Sequence, residues 1–289
     1  MSLILVCRDD NDLCQVLDHS GVVHRRVTST HKAVAGAEPG DGVLVLADGY
    51  PDATTQLDAA FYASAAAKGL RLYVEYPSFV PGLAVGAGRD LAREIAWERA
   101  VVASDVFAPA VNRMRILMIH GCRFLDVASK SSHLVLAHVA GFDTALYGLP
   151  EQTVPVLFEH PRGDVLVATT KLSQFVTGRY APSDAWQVVW CWILQWACPD
   201  IIVPELTVTP VVRPTYAAGE ALWEGAELAA AQRGVSWFGN AKLFIQPAWQ
   251  DEARRRVETY PDGTGLGPDA EWPSGDGSCG MIEGASSRI

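Results

Sequence analysis

The chain has 289 residues, of which 49% are hydrophobic, and carries a formal charge of −10 at pH 7. This length and apolar content fit one large folded domain, or one domain with a further segment, and exclude a largely disordered chain. The negative charge, with no cluster of Lys or Arg, argues against nucleic acid as a partner, because phosphate binding needs a basic surface.

In chain order, apolar runs of strand length alternate with amphipathic helices. The pattern predicts a strand at 3–7, a helix at 9–19, an extended segment at 22–28, a strand at 42–47, a helix at 55–68, a strand at 71–75, a helix at 90–107, strands at 115–119, 134–140, 154–158 and 165–169, and a helix at 184–196. Buried strands separated by helices predict an α/β fold, a doubly wound and mostly parallel sheet with helices on both faces.

The chain is predicted to have three parts. The α/β domain spans 1–200, a Pro-rich connector spans 201–215, and a partial all-α segment spans 216–289, with a helix at 217–233 followed by loop-rich sequence.

Cysteine usage and the amino-terminal sequence indicate the compartment. The six cysteines show no C-x-x-C spacing and several lie in apolar runs, so reduced and buried thiols are expected. The chain enters a strand at once, without the basic region and cleavage site of a signal peptide, and no apolar run reaches membrane-spanning length. We therefore expect a cytoplasmic protein with no membrane partner.

Polar residues follow several of the predicted strands. Because ligands of open α/β sheets bind at the carboxyl ends of the strands, we expect these groups to line a binding crevice. The ligand-binding candidates in this domain are Asp48, Tyr50, Glu75, Tyr76, Lys171 and Ser173. The alternative is structural: Asp48 shapes a turn, and Glu75 caps a neighbouring backbone.

Three of these strand ends also resemble a known fold. A strand ending in Asp48-Gly49, an elbow at Glu75 and a last strand running into 169–174 resemble the class I glutamine amidotransferase-like fold, a flavodoxin-like sheet also used by carbohydrate-associated domains. In active members the elbow carries a cysteine nucleophile in a Gly-x-Cys-x-Gly setting, and the last strand leads to a His-x-Glu pair. Here the elbow has no thiol, and Lys171 and Ser173 stand nearest to the His and Glu positions. The resemblance implies the fold and no glutaminase activity.

A second set of catalytic candidates follows the strand at 115–119. His120 and Cys122 are two residues apart, which places both side chains on one face of a strand, and a Cys–His pair is typical of a nucleophile and its base. No third, orienting group is identifiable, and a buried structural thiol is the alternative. Together with Glu75, these two residues are the catalytic candidates. The histidine spacing predicts no metal site, and no motif predicts a cofactor.

The carboxyl-terminal segment carries a second resemblance. Residues 230–241, Trp272 and residues 275–288 resemble the opening of a six-hairpin glycosidase-type (α/α) toroid. The resemblance implies that Asp276 and Glu283 contact a sugar beside Trp272; the alternative is an ordinary turn and packing aromatics. Only the first hairpin is present, so a complete glycosidase site is not expected. Exposed apolar helix faces predict self-association into a homo-oligomer, or a disordered tail after Gly234.

These observations leave three functions open. The first is a carbohydrate-associated protein, the N-terminal part of a glycoside hydrolase-like enzyme, whose α/β domain has no amidotransferase activity. The second is a non-catalytic domain for sugar binding or assembly. The third is a small hydrolase that uses Cys122 and His120.

Overall fold

The structure, a computed structural model, describes part of the chain. The described residues are 1–90, 99–117, 119, 122–129, 131–141, 143–174 and 183–206. All of them belong to one compact unit, Met1–Val211. The predicted helical segment at 216–289 lies outside the described residues, and its boundary with the α/β domain stays a prediction.

The described residues form eleven strands and four helices. The strands are β1 (Leu3–Val6), β2 (Arg25–Val27), β3 (Gly42–Val45), β4 (Arg71–Glu75), β5 (Val85–Asp90), β6 (Arg99–Val102), β7 (Ile116–Leu117), β8 (Arg123–Val127), β9 (Ser132–Ala137), β10 (Val154–Glu159) and β11 (Val165–Ala168). The helices are α1 (Asp12–His19), α2 (Thr30–Ala35), α3 (Ala59–Ala67) and α4 (Ser183–Ala197).

Nine of the described strands make one mixed sheet, in the order β2-β1-β3-β4-β11-β10-β9-β6-β7. The five strands from β2 to β11 are parallel, and each later pair is antiparallel, so only β10 and β6 run against the others. The strands β5 and β8 form a separate antiparallel pair. The predicted α/β class with a mostly parallel sheet is confirmed.

Alternation along the strands creates a core on each face of the sheet. In β1, Leu3 and Leu5 pack into the core that also contains Leu13 of α1 and Trp186 of α4. The residues between them, including Ile4, pack into a second core with α2 and α3. Helices therefore cover both faces, as predicted.

The order of the parallel strands creates a topological switch point. The chain steps from β1 outward to β2 and then returns across β1 to β3. The helix α1 lies on one face and α2 and α3 lie on the other, which is the arrangement that right-handed crossovers produce when the direction reverses. In open α/β sheets, ligands bind at such a reversal, which here lies at the carboxyl ends of β1 and β3.

The helix predicted at 90–107 is wrong. Asp90 ends β5, and Arg99–Val102 forms β6 between β7 and β9; residues 91–98 lie outside the described part. The strand β6 ends in Val101 and Val102, whose branched side chains fit a buried strand. Pairing with β7 and β9 outweighed the helix-like spacing of apolar residues that precedes them in the sequence. The strands β5 and β8 and the short helix α2 were not predicted.

Among the described residues, no helix is both long enough and apolar enough to cross a membrane.

Candidate functional site

Charged side chains follow β1 and β3 at the switch point. The backbone N–H of Arg8 donates a hydrogen bond of 2.8 Å to Asp48 Oδ2, which joins the two strand ends. The Arg8 side chain is exposed and pairs with Asp10 at 3.3 Å. Burial raises the pKa of Asp48, while the Arg8 hydrogen bond and the nearby charge of Lys171 oppose that increase. Asp48 is thus half-buried, is bound to one backbone donor and feels the charge of one ammonium group.

Glu75, at the end of β4, points into the protein and has no exposed surface. Its Oε1 accepts from Tyr73 Oη at 2.9 Å, Leu172 N at 3.1 Å and Ser173 N at 2.7 Å. Its Oε2 accepts from Ala47 N at 3.1 Å and Ser173 Oγ at 2.8 Å. These donors tie together the chain segments that follow β3 and β11. The carboxylate is thus fully hydrogen-bonded to protein groups. Glu75 contributes to the site by holding in place the loop that carries Lys171.

The surroundings of Glu75 act on its pKa in opposite directions. Burial raises the pKa of Glu75, and the Ala47 N–H, the charge of Lys171 and the hydroxyls of Ser173 and Tyr73 lower it. A full set of donors is what a buried carboxylate requires, because an unpaired one is strongly disfavoured in a low dielectric.

The predicted elbow lies one residue further along, at Tyr76. This residue has φ +47°, in the left-handed region, which costs a non-glycine residue on the order of 1 kcal/mol. Its backbone N–H donates to Ala168 O and its carbonyl accepts from Thr55 N, both at 2.8 Å. The Tyr76 ring is 3% exposed. A buried phenol thus occupies this sharp turn.

Tyr76 also restricts which residues can pack around its ring. Its ring packs edge-on against Tyr50, with centroids 5.1 Å apart. A Cβ added to Gly88 of β5 would lie 2.3 Å from Tyr76 Oη, so glycine at this position lets the β5 backbone pass the phenol.

Tyr50 joins three loops at the same edge. Its hydroxyl oxygen accepts from Thr170 Oγ1 at 3.3 Å and from the backbone N–H of Arg123. Burial raises the pKa of Tyr50, and proximity to Cys122 adds to that increase. Tyr50 is therefore a neutral phenol, and Cys122, which precedes β8, lies beside it.

The segment after β11 brings Lys171 and Ser173 to this edge. Ser173 is fully buried, and its Oγ lies between Glu75 Oε2 and the side-chain amide of Asn11, which donates at 3.3 Å. Asn11 also caps α1 by accepting from Leu13 N at 3.0 Å. Lys171 is half-buried, and its charge acts on both Asp48 and Glu75.

The remaining candidates fall outside this arrangement. His120, Asp276 and Glu283 lie outside the described residues, so the pairing of His120 with Cys122 and the sugar contacts of Asp276 and Glu283 stay predictions. Cys122 itself is 2% exposed. Burial also raises the pKa of the thiols of Cys7, Cys191 and Cys198, which disfavours the nucleophilic thiolate.

Sequence reasoning missed three residues at this edge: Arg8, Asn11 and Thr170. The signal for Arg8 and Asn11 was present, because residues 8–11 follow the first predicted strand and lead into a helix, as the other candidate residues follow their strands. Thr170 carries no pattern of its own, and only the folded chain shows that it donates to Tyr50.

The groups at this edge divide by exposure. Glu75, Ser173 and Asn11 are buried and linked by hydrogen bonds. The groups that reach solvent form the carboxyl-edge site, which we define as Arg8, Asp48, Tyr50 and Lys171. A carboxylate, cations and a phenol can donate to and accept from hydroxyl groups of a polar ligand. No protein-family model matches this chain, and no curated protein matches it either.

Proposed function

We propose that the protein is carbohydrate-associated and that its α/β domain binds a sugar at the carboxyl-edge site without turning it over. The supporting observation is the turn at Glu75 and Tyr76, which carries no thiol and where the Glu75 carboxylate is occupied by protein donors. The glutaminase reaction of an amidotransferase uses an accessible thiolate, and this turn offers a buried phenol instead.

The sugar assignment draws on the resemblance to carbohydrate-associated members of the amidotransferase-like fold and on the side chains at the edge. Asp48 and Lys171 supply charged hydrogen-bonding partners, and Tyr50 offers a phenol beside them. Such groups bind hydroxyls by hydrogen bonds that are stronger than neutral pairs. The position at the switch point is where open α/β sheets bind ligands.

The segment at 216–289, predicted from its sequence to be helical, extends the proposal. On its resemblance to a six-hairpin toroid, we propose that the chain is the N-terminal part of a glycoside hydrolase-like enzyme, with Asp276 and Glu283 as sugar contacts. Self-association through this segment and a cytoplasmic location belong to the same proposal. Hydrolysis of aryl glycosides by a longer reading frame, and not by the 289-residue chain, would support it.

Two measurements test the α/β domain. Ammonia release from glutamine should not exceed that of a heat-denatured sample, because the elbow has no thiol. Saturation-transfer NMR with a mixture of neutral oligosaccharides should show contact with the protein and no change in the sugars over a day. Glutamine hydrolysis that is lost in Cys122→Ala would instead establish the cysteine-dependent hydrolase, and the absence of any sugar contact would contradict the binding proposal.

A further inference from the structure

Three side chains of different chemistry meet near α1, away from the carboxyl-edge site. Cys14 and Asp18 lie one turn apart on the helix, and His24 follows in the segment before β2. Cys14 Sγ lies 3.9 Å from Asp18 Oδ2 and 3.8 Å from His24 Nε2. His24 Nε2 lies 3.6 Å from Asp18 Oδ1. Each side chain therefore places one possible metal ligand within 4.8 Å of the other two.

These separations are close to those of ligands around a tetrahedral cation. Bonds of about 2.3 Å to sulfur and about 2.0 Å to nitrogen or oxygen place neighbouring ligand atoms about 3.3–3.6 Å apart in a tetrahedron. The separation of 3.8 Å between Cys14 Sγ and His24 Nε2 exceeds that range by about 0.2 Å. The two Asp18 distances, 3.6 and 3.9 Å, belong to its two different oxygens; with a single oxygen as the ligand, all three atoms lie within 4.8 Å of one another. Small side-chain rotations would complete the geometry.

The orientation of His24 is fixed by a second contact. Its Nδ1 lies 2.9 Å from the carbonyl oxygen of Val22, so Nδ1 donates its proton there and Nε2 is the ring nitrogen that faces Cys14 and Asp18. This is the arrangement that metal-binding histidines usually have. The His24 side chain is 6% exposed, whereas the Asp18 side chain is 66% exposed. The cluster is thus buried on one side and open to solvent at Asp18.

We propose that Cys14, Asp18 and His24 bind a divalent cation of the Zn²⁺ class, with three protein ligands and one position open to solvent. A set of one thiolate, one imidazole and one carboxylate suits a borderline-soft cation and does not suit Mg²⁺ or Ca²⁺, which prefer oxygen ligands. His24 also borders a cavity of about 910 Å³ at the amino end of β1, which gives the cluster a second approach.

Binding changes the protonation of Cys14. The S–H bond breaks, a sulfur–metal bond forms and the proton leaves to solvent. Burial raises the pKa of Cys14, the charge of Asp18 adds to that increase, and Arg26 opposes it. Zn²⁺ binding therefore releases about one proton at neutral pH. Histidine spacing alone could not reveal the site, because the three ligands are of three residue types.

The experiment uses the full chain and Co²⁺, which reports a thiolate ligand by a charge-transfer band, followed by calorimetric titration with Zn²⁺. We expect one site with the Co²⁺–thiolate band, and an affinity for Zn²⁺ at least about 100-fold lower in Cys14→Ser and His24→Gln. The matched controls are His19→Gln, an exposed histidine of the same helix, and Cys191→Ser, a partly buried thiol of α4. Both controls should bind as the wild type does.

The exposed Asp18 provides a variant that leaves the core intact. In Asp18→Asn we expect Zn²⁺ affinity at least about 10-fold lower, and a smaller rise in melting temperature on adding Zn²⁺ than in the wild type. A wild type that shows no thiolate band overturns the proposal. So does a band that persists in Cys14→Ser, or a Zn²⁺ affinity of Asp18→Asn equal to that of His19→Gln.

Discussion

Replacing Glu75 by Gln tests whether its buried carboxylate holds the carboxyl edge together. The substitution keeps the shape of the side chain and turns one oxygen into an N–H₂ donor. In the less costly orientation the amide nitrogen takes the place of Oε2, where it faces the N–H of Ala47 and the hydroxyl of Ser173. The hydroxyl can rotate to accept, but the N–H of Ala47 cannot.

The magnitude follows from that count of donors. One buried N–H without an acceptor costs about 1–3 kcal/mol, and the remaining hydrogen bonds lose their charge-assisted strength. We therefore expect Glu75→Gln to lower the free energy of unfolding by about 2–4 kcal/mol. In Glu75→Ala the N–H groups of Ala47, Leu172 and Ser173 would all lose their acceptor, a cost of about 3–9 kcal/mol that approaches the stability of a whole domain.

Urea unfolding followed by tryptophan fluorescence measures the effect. The matched control is Glu159→Gln on β10, where the carboxylate is half-buried and Oε1 accepts a hydrogen bond of 3.3 Å from Trp196 Nε1. This control should cost less than about 1 kcal/mol, since the amide oxygen of Gln can still accept this one hydrogen bond and only its charge-assisted strength is lost. If both glutamine variants lose the same stability, the hydrogen bonds of Glu75 do not hold the edge and our reasoning is refuted.

Three further predictions concern the same described residues. His133 packs against Phe107 and Trp192 with Nε2 buried and without a hydrogen bond, and burial lowers its pKa. Protonation of His133 therefore favours the unfolded state, so the free energy of unfolding should fall below pH 6.5 more steeply in the wild type than in His133→Phe. If urea unfolding from pH 7.5 to 5.5 gives the same pH dependence for both proteins, His133 does not destabilise the fold at low pH. A Cβ at Gly42 would lie 2.5 Å from Ala197 O, whereas a Cβ at Gly69, where φ is +62°, would meet nothing within 4 Å. In urea unfolding, Gly42→Ala should lower the free energy of unfolding by at least about 2 kcal/mol and Gly69→Ala by about 1 kcal/mol. The opposite ranking would show that α4 does not pack tightly against β3. Alkylation of the native protein, mapped by mass spectrometry, should modify the partly exposed Cys191 before the buried Cys7 and Cys122. Rapid labelling of Cys122 would contradict this order and would reveal an accessible nucleophile.

The sequence was informative where local pattern and tertiary role agree. The parallel strands β1, β3, β4 and β11 are short apolar runs bounded by turn residues, and each lies within one or two residues of its predicted position. Because their order in the sheet follows from α/β winding, the meeting of Asp48, Glu75 and Lys171 at one edge was also predictable.

Other features depend on contacts that no local pattern encodes. Arg99–Val102 became a strand because partners were available on both sides, and the inward orientation of Glu75 depends on donors from segments almost 100 residues away. The Cys14, Asp18 and His24 cluster forms because the chain turns back after α1. Sequence spacing places the first two on one helix face, but it does not place His24.

The central claim is that the carboxyl-edge site binds a sugar, and a calorimetric titration tests it most directly. The oligosaccharide that gives the strongest saturation-transfer signal is titrated into the wild type, Asp48→Asn and Asp52→Asn, the last being an exposed aspartate of the neighbouring turn. Loss of the Asp48 charge should weaken binding by about 10-fold or more, because a charge-assisted hydrogen bond is removed, while Asp52→Asn should bind as the wild type does. Equal affinities in all three proteins would contradict the claim.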